Sequence, residues 1–331
     1  MTELAGWIAG FAGLRVLVLG DIILDEYLTG TATRMSREAP IPVLELEQRQ
    51  LIPGGAANPA ANIAALGGMA QQAGVVGSDS SAVNLKQVLQ AKGIDITGIV
   101  TDAARPTTVK TRIMAAMGLR FPQQVARLDT LSREPINDMV ERRLREVILA
   151  ALPGVRAVLI SDYHIGLLTP ALIDSVRKLA QQRNVLVTVD AQGALDKYAG
   201  MPVVKCNAND AMHYLKQPLR TDDDYARAAQ QLVKALRLRT AMVITRGGDG
   251  ATYASRDGHC GHLPAPAVTD VFDTVGAGDT FIAVLTLALA AGAPLPDAVA
   301  LANAASGIVV RRVGNYTPSP DEVAHALRGV S

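Results

Sequence analysis

At 331 residues and 34.8 kDa, the chain is long enough for one large α/β domain that buries roughly three-quarters of its unfolded surface. A composition that is 49% hydrophobic and 19% charged excludes a disordered polypeptide. A net charge of +1 and only 4% aromatic residues argue against nucleic acid or an acidic membrane as partner. Two cysteines, Cys206 and Cys260, make neither a disulfide framework nor a metal site and point to a reducing cytoplasm.

In chain order, the apolar N-terminus carries Glu3 and Arg15 and lacks a basic leader region, so it reads as a short helix followed by a strand over Arg15–Gly20. Ile41–Glu47 alternates apolar and polar residues, as does Val125–Asp129. With Thr107–Ile113 these segments predict a small, half-exposed antiparallel sheet. The remaining strands, Gln72–Val76, Ala157–Ser161, Val185–Asp190, Val203–Asn207 and Ala241–Thr245, are mostly continuous apolar runs, the pattern of strands covered on both faces. Helices are predicted between them over Pro135–Ala151, Thr169–Gln182 and Asp222–Arg237. The last opens on three aspartates and closes on Lys234 and Arg237, as the helix dipole favours. Phe281–Ala293 is too short for the roughly 20 residues that span a bilayer and reads as a buried helix. The expected fold is a doubly wound, mostly parallel α/β sheet flanked by helices. A small β-sheet lid, about 21–51 and 101–130, is inserted into this single domain.

Chemistry concentrates in Asp273-Thr-Val-Gly-Ala-Gly-Asp-Thr280, just before the apolar helix. Gly276 and Gly278 allow a tight turn, and Gly276, Ala277 and Gly278 can aim backbone N–H groups at an anion at the helix start. Asp279 stands where a carboxylate accepts a proton from an attacking hydroxyl. Taken alone, the tetrapeptide reads equally well as a turn with Asp279 as an N-cap.

The longer context resembles the PfkB (ribokinase-like) family of sugar kinases, whose C-terminal signature is D-T-x-G-A-G-D. Pro53-Gly-Gly-Ala-Ala-Asn58, followed by Asn62 and Ala65-Leu-Gly-Gly68, resembles its N-terminal signature. Gly20-Asp21, Ser161-Asp-Tyr163, Val189-Asp190, Asn207–Asp210 and Thr245-Arg-Gly-Gly-Asp-Gly250 follow in the family's order, so the resemblance runs from about Leu14 to about Pro320. Within the family, Gly20–Tyr27 and Arg34–Val43 are similar to D-glycero-β-D-manno-heptose 7-phosphate kinases of lipopolysaccharide biosynthesis. Such kinases are often fused to an adenylyltransferase domain. No H-x-G-H motif is present here, so the kinase alone is expected, without a fused adenylyltransferase.

The resemblance implies roles. Asp279 would deprotonate the anomeric hydroxyl above the anion hole of Gly276, Ala277 and Gly278. Asp21, Asp25, Gly54, Gly55 and Asn58 would hold sugar hydroxyls. From the lid cations Lys110, Arg112, Arg120 and Arg127, Arg112 or Arg120 is expected to bind the substrate's existing phosphate. Asn207 would face the nucleotide phosphates, Thr245, Gly247 and Gly250 would cradle ATP, and Asn303 would lie near the adenine. Asp210 would act on Mg²⁺ through water, in place of the family's longer glutamate. Some relatives also hold a monovalent cation near Asp273 and Gly314. Read without the family, Asp21 is equally a strand-end cap, Gly54–Gly55 a tight turn, Asp190 a helix cap and Asn303 a helix polar position.

Two lysines that similar heptose kinases often carry are absent, replaced by Ile165 and Gln192. His164 and Arg246 are the nearest candidates to restore positive charge, although a satisfied loop histidine suits His164 better. Implied partners are a sugar phosphate and ATP, with a homodimer through the lid. The alternatives are a family kinase acting on ribose, a fructose phosphate or a nucleoside, and a non-catalytic sugar-binding regulator. A nicotinamide dehydrogenase is disfavoured because Gly20-Asp21, not G-x-G-x-x-G, follows the first strand.

Overall fold

The computed structural model describes residues 2–116, 122–266, 273–312 and 314–328. Its strands are β1 (Arg15–Gly20), β2 (Ile22–Met35), β3 (Pro42–Gly55), β4 (Met69–Val76), β5 (Asp95–Thr101), β6 (Val109–Ala116), β7 (Gln123–Thr130), β8 (Ala157–Ser161), β9 (Leu186–Asp190), β10 (Val203–Asn207), β11 (Ala241–Thr245), β12 (Ala251–Ser255) and β13 (Cys260–Leu263). Helices are α1 (Thr2–Ala9), α2 (Ala57–Ala65), α3 (Ser80–Ala91), α4 (Asp138–Ala151), α5 (Pro170–Gln182), α6 (Ala208–Leu215), α7 (Asp222–Ala235), α8 (Ala277–Ala290), α9 (Leu295–Val309) and α10 (Pro320–Arg328). None of the described helices is long and apolar enough to cross a membrane.

Nine strands form the main sheet in the order β13-β12-β11-β10-β9-β8-β1-β4-β5. It is parallel from β11 to β5 and closes on one side with the antiparallel strands β12 and β13. The central strands β1, β8 and β9 are buried almost throughout, as their unbroken apolar runs require. Helices α2, α8 and α9 pack one face, while α4, α5 and α7 pack the other. Helix starts follow local chemistry. Asn137 and Thr169 accept first-turn N–H bonds of α4 and α5, and Thr221 with Asp224 forms a capping box on α7.

The second sheet has the order β3-β2-β6-β7. It differs from the expected antiparallel lid in that its central pair, β2 and β6, is parallel. Strand β2, unmarked in the sequence reading, is its longest member together with β3, and β7 is exposed along its whole length. The expected strands at Ile41–Glu47, Thr107–Ile113 and Val125–Asp129 fall on or within a residue or two of β3, β6 and β7.

Parallel pairing sets Gly20 beside Ser161, Ser161 beside Asp190, and Asn207 beside Thr245, all at carboxyl strand ends. A crevice at that edge is where doubly wound sheets bind ligands. Gly20 is there for space, because a β-carbon on it would run into the Ser161 carbonyl and lie 2.8 Å from the Ala56 side chain. Gly20→Ala should therefore lower stability by about 1–3 kcal/mol, the range for overpacking, measured by urea unfolding.

Candidate active site

The site is built around the start of α8. Gly276 occupies the N-cap position with φ of 82° and has Asn315 Oδ1 and Asn58 Nδ2 each 2.9 Å from where a β-carbon would stand. Both the left-handed backbone and the lack of room demand glycine. The following first-turn N–H groups of an α-helix have no partner within the helix and carry its partial positive charge. Asp279 is the third residue of α8, so it is not the N-cap that the bare tetrapeptide allowed.

Its carboxylate is 6% exposed and held from two sides. Asn58 Nδ2 donates to Oδ2 at 2.9 Å and the Tyr163 hydroxyl donates to Oδ1 at 2.8 Å. Asn58 is itself oriented, since Asn62 Nδ2 donates to its Oδ1 at 3.2 Å and the Thr280 hydroxyl donates to Asn62 Oδ1 at 2.9 Å. The two sequence signatures, more than 200 residues apart, thus meet in one buried hydrogen-bonded chain. Burial first, then the charge of Asp190, pushes the Asp279 carboxyl up to about 7, against the opposing pull of Asn58, Tyr163 and Lys205. A carboxyl so placed is suited to take a proton near neutrality.

On one side of this acid, Asp25 is buried at the start of β2. It accepts from Arg112 Nη1 at 2.6 Å and from Asn315 Nδ2 at 2.8 Å. A side chain on Gly54 would run into the Asp25 carboxylate, and Gly55 turns the chain with φ of 53° before Ala56 N–H bonds Asp21 O at 2.9 Å. Asp21 accepts from the N–H groups of Tyr163 at 2.8 Å and Ile165 at 3.2 Å, so its carboxylate clamps the 161–166 loop.

On the opposite side, Asn207 caps α6 by accepting from Asp210 N–H at 2.9 Å. Asp210 Oδ1 accepts from Gly193 N–H at 3.0 Å, while its Oδ2 is buried without a partner. Thr245 lies beside Asn207 and donates to Cys206 O at 3.3 Å. Gly247 has φ of 58° with open space around it, and Gly250 has φ of 89° against the Leu263 and Pro264 backbone. Asn303 Nδ2 donates to Leu263 O at 2.9 Å, fixing the end of β13. Asp273 accepts from Val275 N–H and Gly314 N–H, each at 2.9 Å, tying the segment before α8 to the loop at 314.

The pfkB family carbohydrate kinase model matches residues 14–322. The chain belongs to the pfkB family of carbohydrate kinases. This kinase is 40% identical over 315 residues to a protein called bifunctional protein HldE from Geobacter sulfurreducens, covering 95% of this chain and 63% of that one. It is 37% identical over 327 residues to the protein of the same name from Hyphomonas neptunium, covering 98% of this chain and 66% of that one. The chain thus spans about two-thirds or less of the length of these relatives. Phosphofructokinase-2 from Escherichia coli, in complex with substrates and products, superposes with a TM-score of 0.78 at 22% identity, covering 96% of this chain and 99% of that one. Arabidopsis thaliana ribokinase, complexed with ribose and ATP, gives a TM-score of 0.74 at 18% identity with the same coverage. The fold is ribokinase-like and the enzyme a phosphotransferase acting on a sugar hydroxyl.

Of the two candidates for compensating charge, Arg246 is engaged elsewhere and His164 matches the favoured reading of a satisfied loop histidine. Arg246 turns away, donating to Asp222 at 2.6 Å and stacking 4.1 Å from the Tyr225 ring centroid. His164 is a satisfied loop residue, its ring bonded to Gln192 O. Arg112, expected on the substrate phosphate, is paired with Asp25, and Arg120 lies outside the described residues. Asp190 is not a helix cap but half of a buried pair, receiving Lys205 Nζ at 2.9 and 3.0 Å. Sequence reasoning missed Lys205, whose Nζ lies 3.1 Å from where a side chain on Gly278 would begin. The available signal was a charge inside an otherwise apolar strand. A cation at a helix start opposes the dipole, and Asp190 offsets that cost and keeps the ammonium beside the first turn of α8.

A cleft of about 510 Å³ near the amino ends of β1 and β4, lined by Arg15, Gln71, Asp95 and Gly154 among others, contains none of these residues. Breaking the buried pair by Lys205→Met should cost about 3–5 kcal/mol by leaving Asp190 uncompensated. Lys205→Met with Asp190→Asn should recover most of that in denaturant unfolding.

Proposed function

We propose that this kinase transfers the γ-phosphoryl group of ATP to the anomeric O1 of D-glycero-β-D-manno-heptose 7-phosphate. The bond from the γ-phosphorus to O1 forms as the bridge to the β-phosphate breaks, ADP leaves, and the O1 proton passes to Asp279. The observation that carries the reading is the buried Asp279 carboxylate at the start of α8, held by Asn58 of the Gly-Gly-Ala-Ala-Asn segment. The heptose assignment rests on the resemblance of Gly20–Tyr27, Arg34–Val43 and Pro53–Asn58.

Asp279 supplies general-base help worth roughly 10²–10⁴ in rate. The start of α8 and Lys205 stabilise charge on the moving phosphoryl group. Asp25, Gly54, Gly55 and Asn58 orient the sugar, with Asp21 acting from the loop it clamps. Asn207, Thr245, Gly247, Gly250 and Asn303 form the nucleotide side. Asp210 fits a role on Mg²⁺ because its free buried oxygen can accept from a metal-bound water. When bound, Mg²⁺ neutralises charge between the β- and γ-phosphates. The Asp273–Gly314 turn is our assignment for a monovalent cation.

A second reading, a sugar without a distal phosphate or with one placed elsewhere, is favoured by the commitment of Arg112 to Asp25. The lid exposes Met35, Ile41, Leu46, Val125 and Leu128, which supports a homodimer formed through it. One buried and one exposed free cysteine fit a reducing cytoplasm.

The test is ADP release with heptose 7-phosphate against unphosphorylated heptose, ribose and fructose 6-phosphate. Heptose 7-phosphate should give the highest kcat/KM, and preference for another sugar would reassign the substrate. Because the base must be ionised, kcat/KM should fall as pH drops through about 7, and Asp279→Asn should lower turnover by 10²-fold or more. Light scattering on Leu128→Glu should report a monomer where the wild-type chain is a dimer.

A further inference from the structure

The 161–166 loop is shaped more tightly than a connection between β8 and α5 requires. His164 has φ of 56° and Gly166 φ of 83°, two left-handed residues close together. Asp21 clamps the N–H groups on either side of His164, and Asp162 Oδ1 accepts from the His164 N–H at 3.0 Å. Asp162 is fixed in turn by the Tyr198 hydroxyl at 2.5 Å and Lys197 Nζ at 2.7 Å. The side chain this bracing presents is Tyr163, whose hydroxyl ends 2.8 Å from Asp279 Oδ1. Its ring meets the lid, with Lys110 Nζ of β6 5.1 Å from the centroid. Tyr163 therefore touches the acid, the lid and, through its backbone, the residue that joins β1 to β2.

We propose that Tyr163 is a positioning residue for phosphoryl transfer: its phenol fixes the rotation of the Asp279 carboxylate so that a free lone pair faces the sugar hydroxyl. The inference rests on Asp279 being the base. Asn58 alone holds one oxygen and leaves the carboxylate free to swing about that bond, whereas a second donor on the other oxygen removes the freedom. The phenol stays protonated, since burial and then the charges of Asp279, Asp190 and Asp25 hold its ionisation well above the ordinary tyrosine range. Groups facing this pair are Asp190 from β9, Lys205 from β10, Asp25 from β2, Lys110 from β6 and the neutral Asn58 from α2.

Tyr163→Phe keeps the ring and deletes the donor. With ATP and heptose 7-phosphate, kcat/KM for the sugar should fall about 10- to 100-fold, as for a lost hydrogen bond to a charged group, with KM for ATP and the melting temperature near wild type. Loss of a donor favours the protonated carboxyl, so the acid limb of kcat/KM should move to higher pH. Placing 3-fluorotyrosine at 163 keeps the shape, strengthens the donor and should move the limb to lower pH, which tests the proposal even where Tyr163→Phe folds poorly. A limb that stays in place in both variants, or wild-type kcat/KM in Tyr163→Phe, overturns it. Turnover that survives Asp279→Asn removes the base and this inference together. Turnover lost there but unchanged in Tyr163→Phe removes the inference alone.

Discussion

The site depends on keeping one carboxylate out of water beside another. Asp279 gains from the helix dipole at the start of α8, but burial and the nearby charge of Asp190 work against its ionised form. Neutral donors from Asn58 and Tyr163 and the ammonium of Lys205 offset part of that penalty without abolishing it. The balance leaves a group that binds its proton more tightly folded than unfolded. Folded-state stability from this residue is therefore greatest in acid and declines as pH rises from the ordinary aspartate range through about 7. Retaining such a group costs stability, and strongly perturbed carboxyls of this kind cluster at functional sites.

Around that carboxylate the architecture converges elements that are distant in the chain. Strand β9 brings Asp190, β10 brings Lys205 and Asn207, and the loop after β8 brings Tyr163, all at one edge of a parallel sheet. Helix α2 contributes Asn58 from the segment that closes the lid sheet. The pairing of Asp25 with Arg112 links two lid strands directly in front of this edge. Sheet, helix start and lid thus share one polar seam, and its glycines, Gly20, Gly54 and Gly276, are absent side chains where a backbone carbonyl, a carboxylate and two asparagine amides need the room.

The sequence reading anticipated the sheet well where strands were buried on both faces, because an uninterrupted run such as Val158–Ile160 has few other solutions. The two signatures were legible through their resemblance to the pfkB family, since taken alone Gly-Ala-Gly-Asp reads equally well as a capped turn and Gly54–Gly55 as a tight turn. Strand β2 escaped notice because Ile22–Met35 mixes apolar, acidic and threonine residues with Gly30 and lacks clean alternation. The short strands β12 and β13 carry little periodicity. Lys205 and Tyr163 acquire their meaning only from partners on other elements; Tyr163 and Asp279 are 116 positions apart. Arg246 shows the converse, since the sequence offers it as a source of the charge lost at positions 165 and 192 and only the fold reveals that Asp222 and Tyr225 of α7 hold it.

One feature of the chain path reaches beyond the crevice itself. Only Asp21 separates β1 from β2, and β3 runs through Gly55 into α2 with Ala56 between them. The long two-stranded ribbon is therefore rooted at both ends in the residues around the acid, with no slack tether at its base. A pair rooted in this way has no hinge loop at its base, so a push near Met35 and Pro42 would be carried by the paired strands themselves to Asp21 and to the helix that holds Asn58.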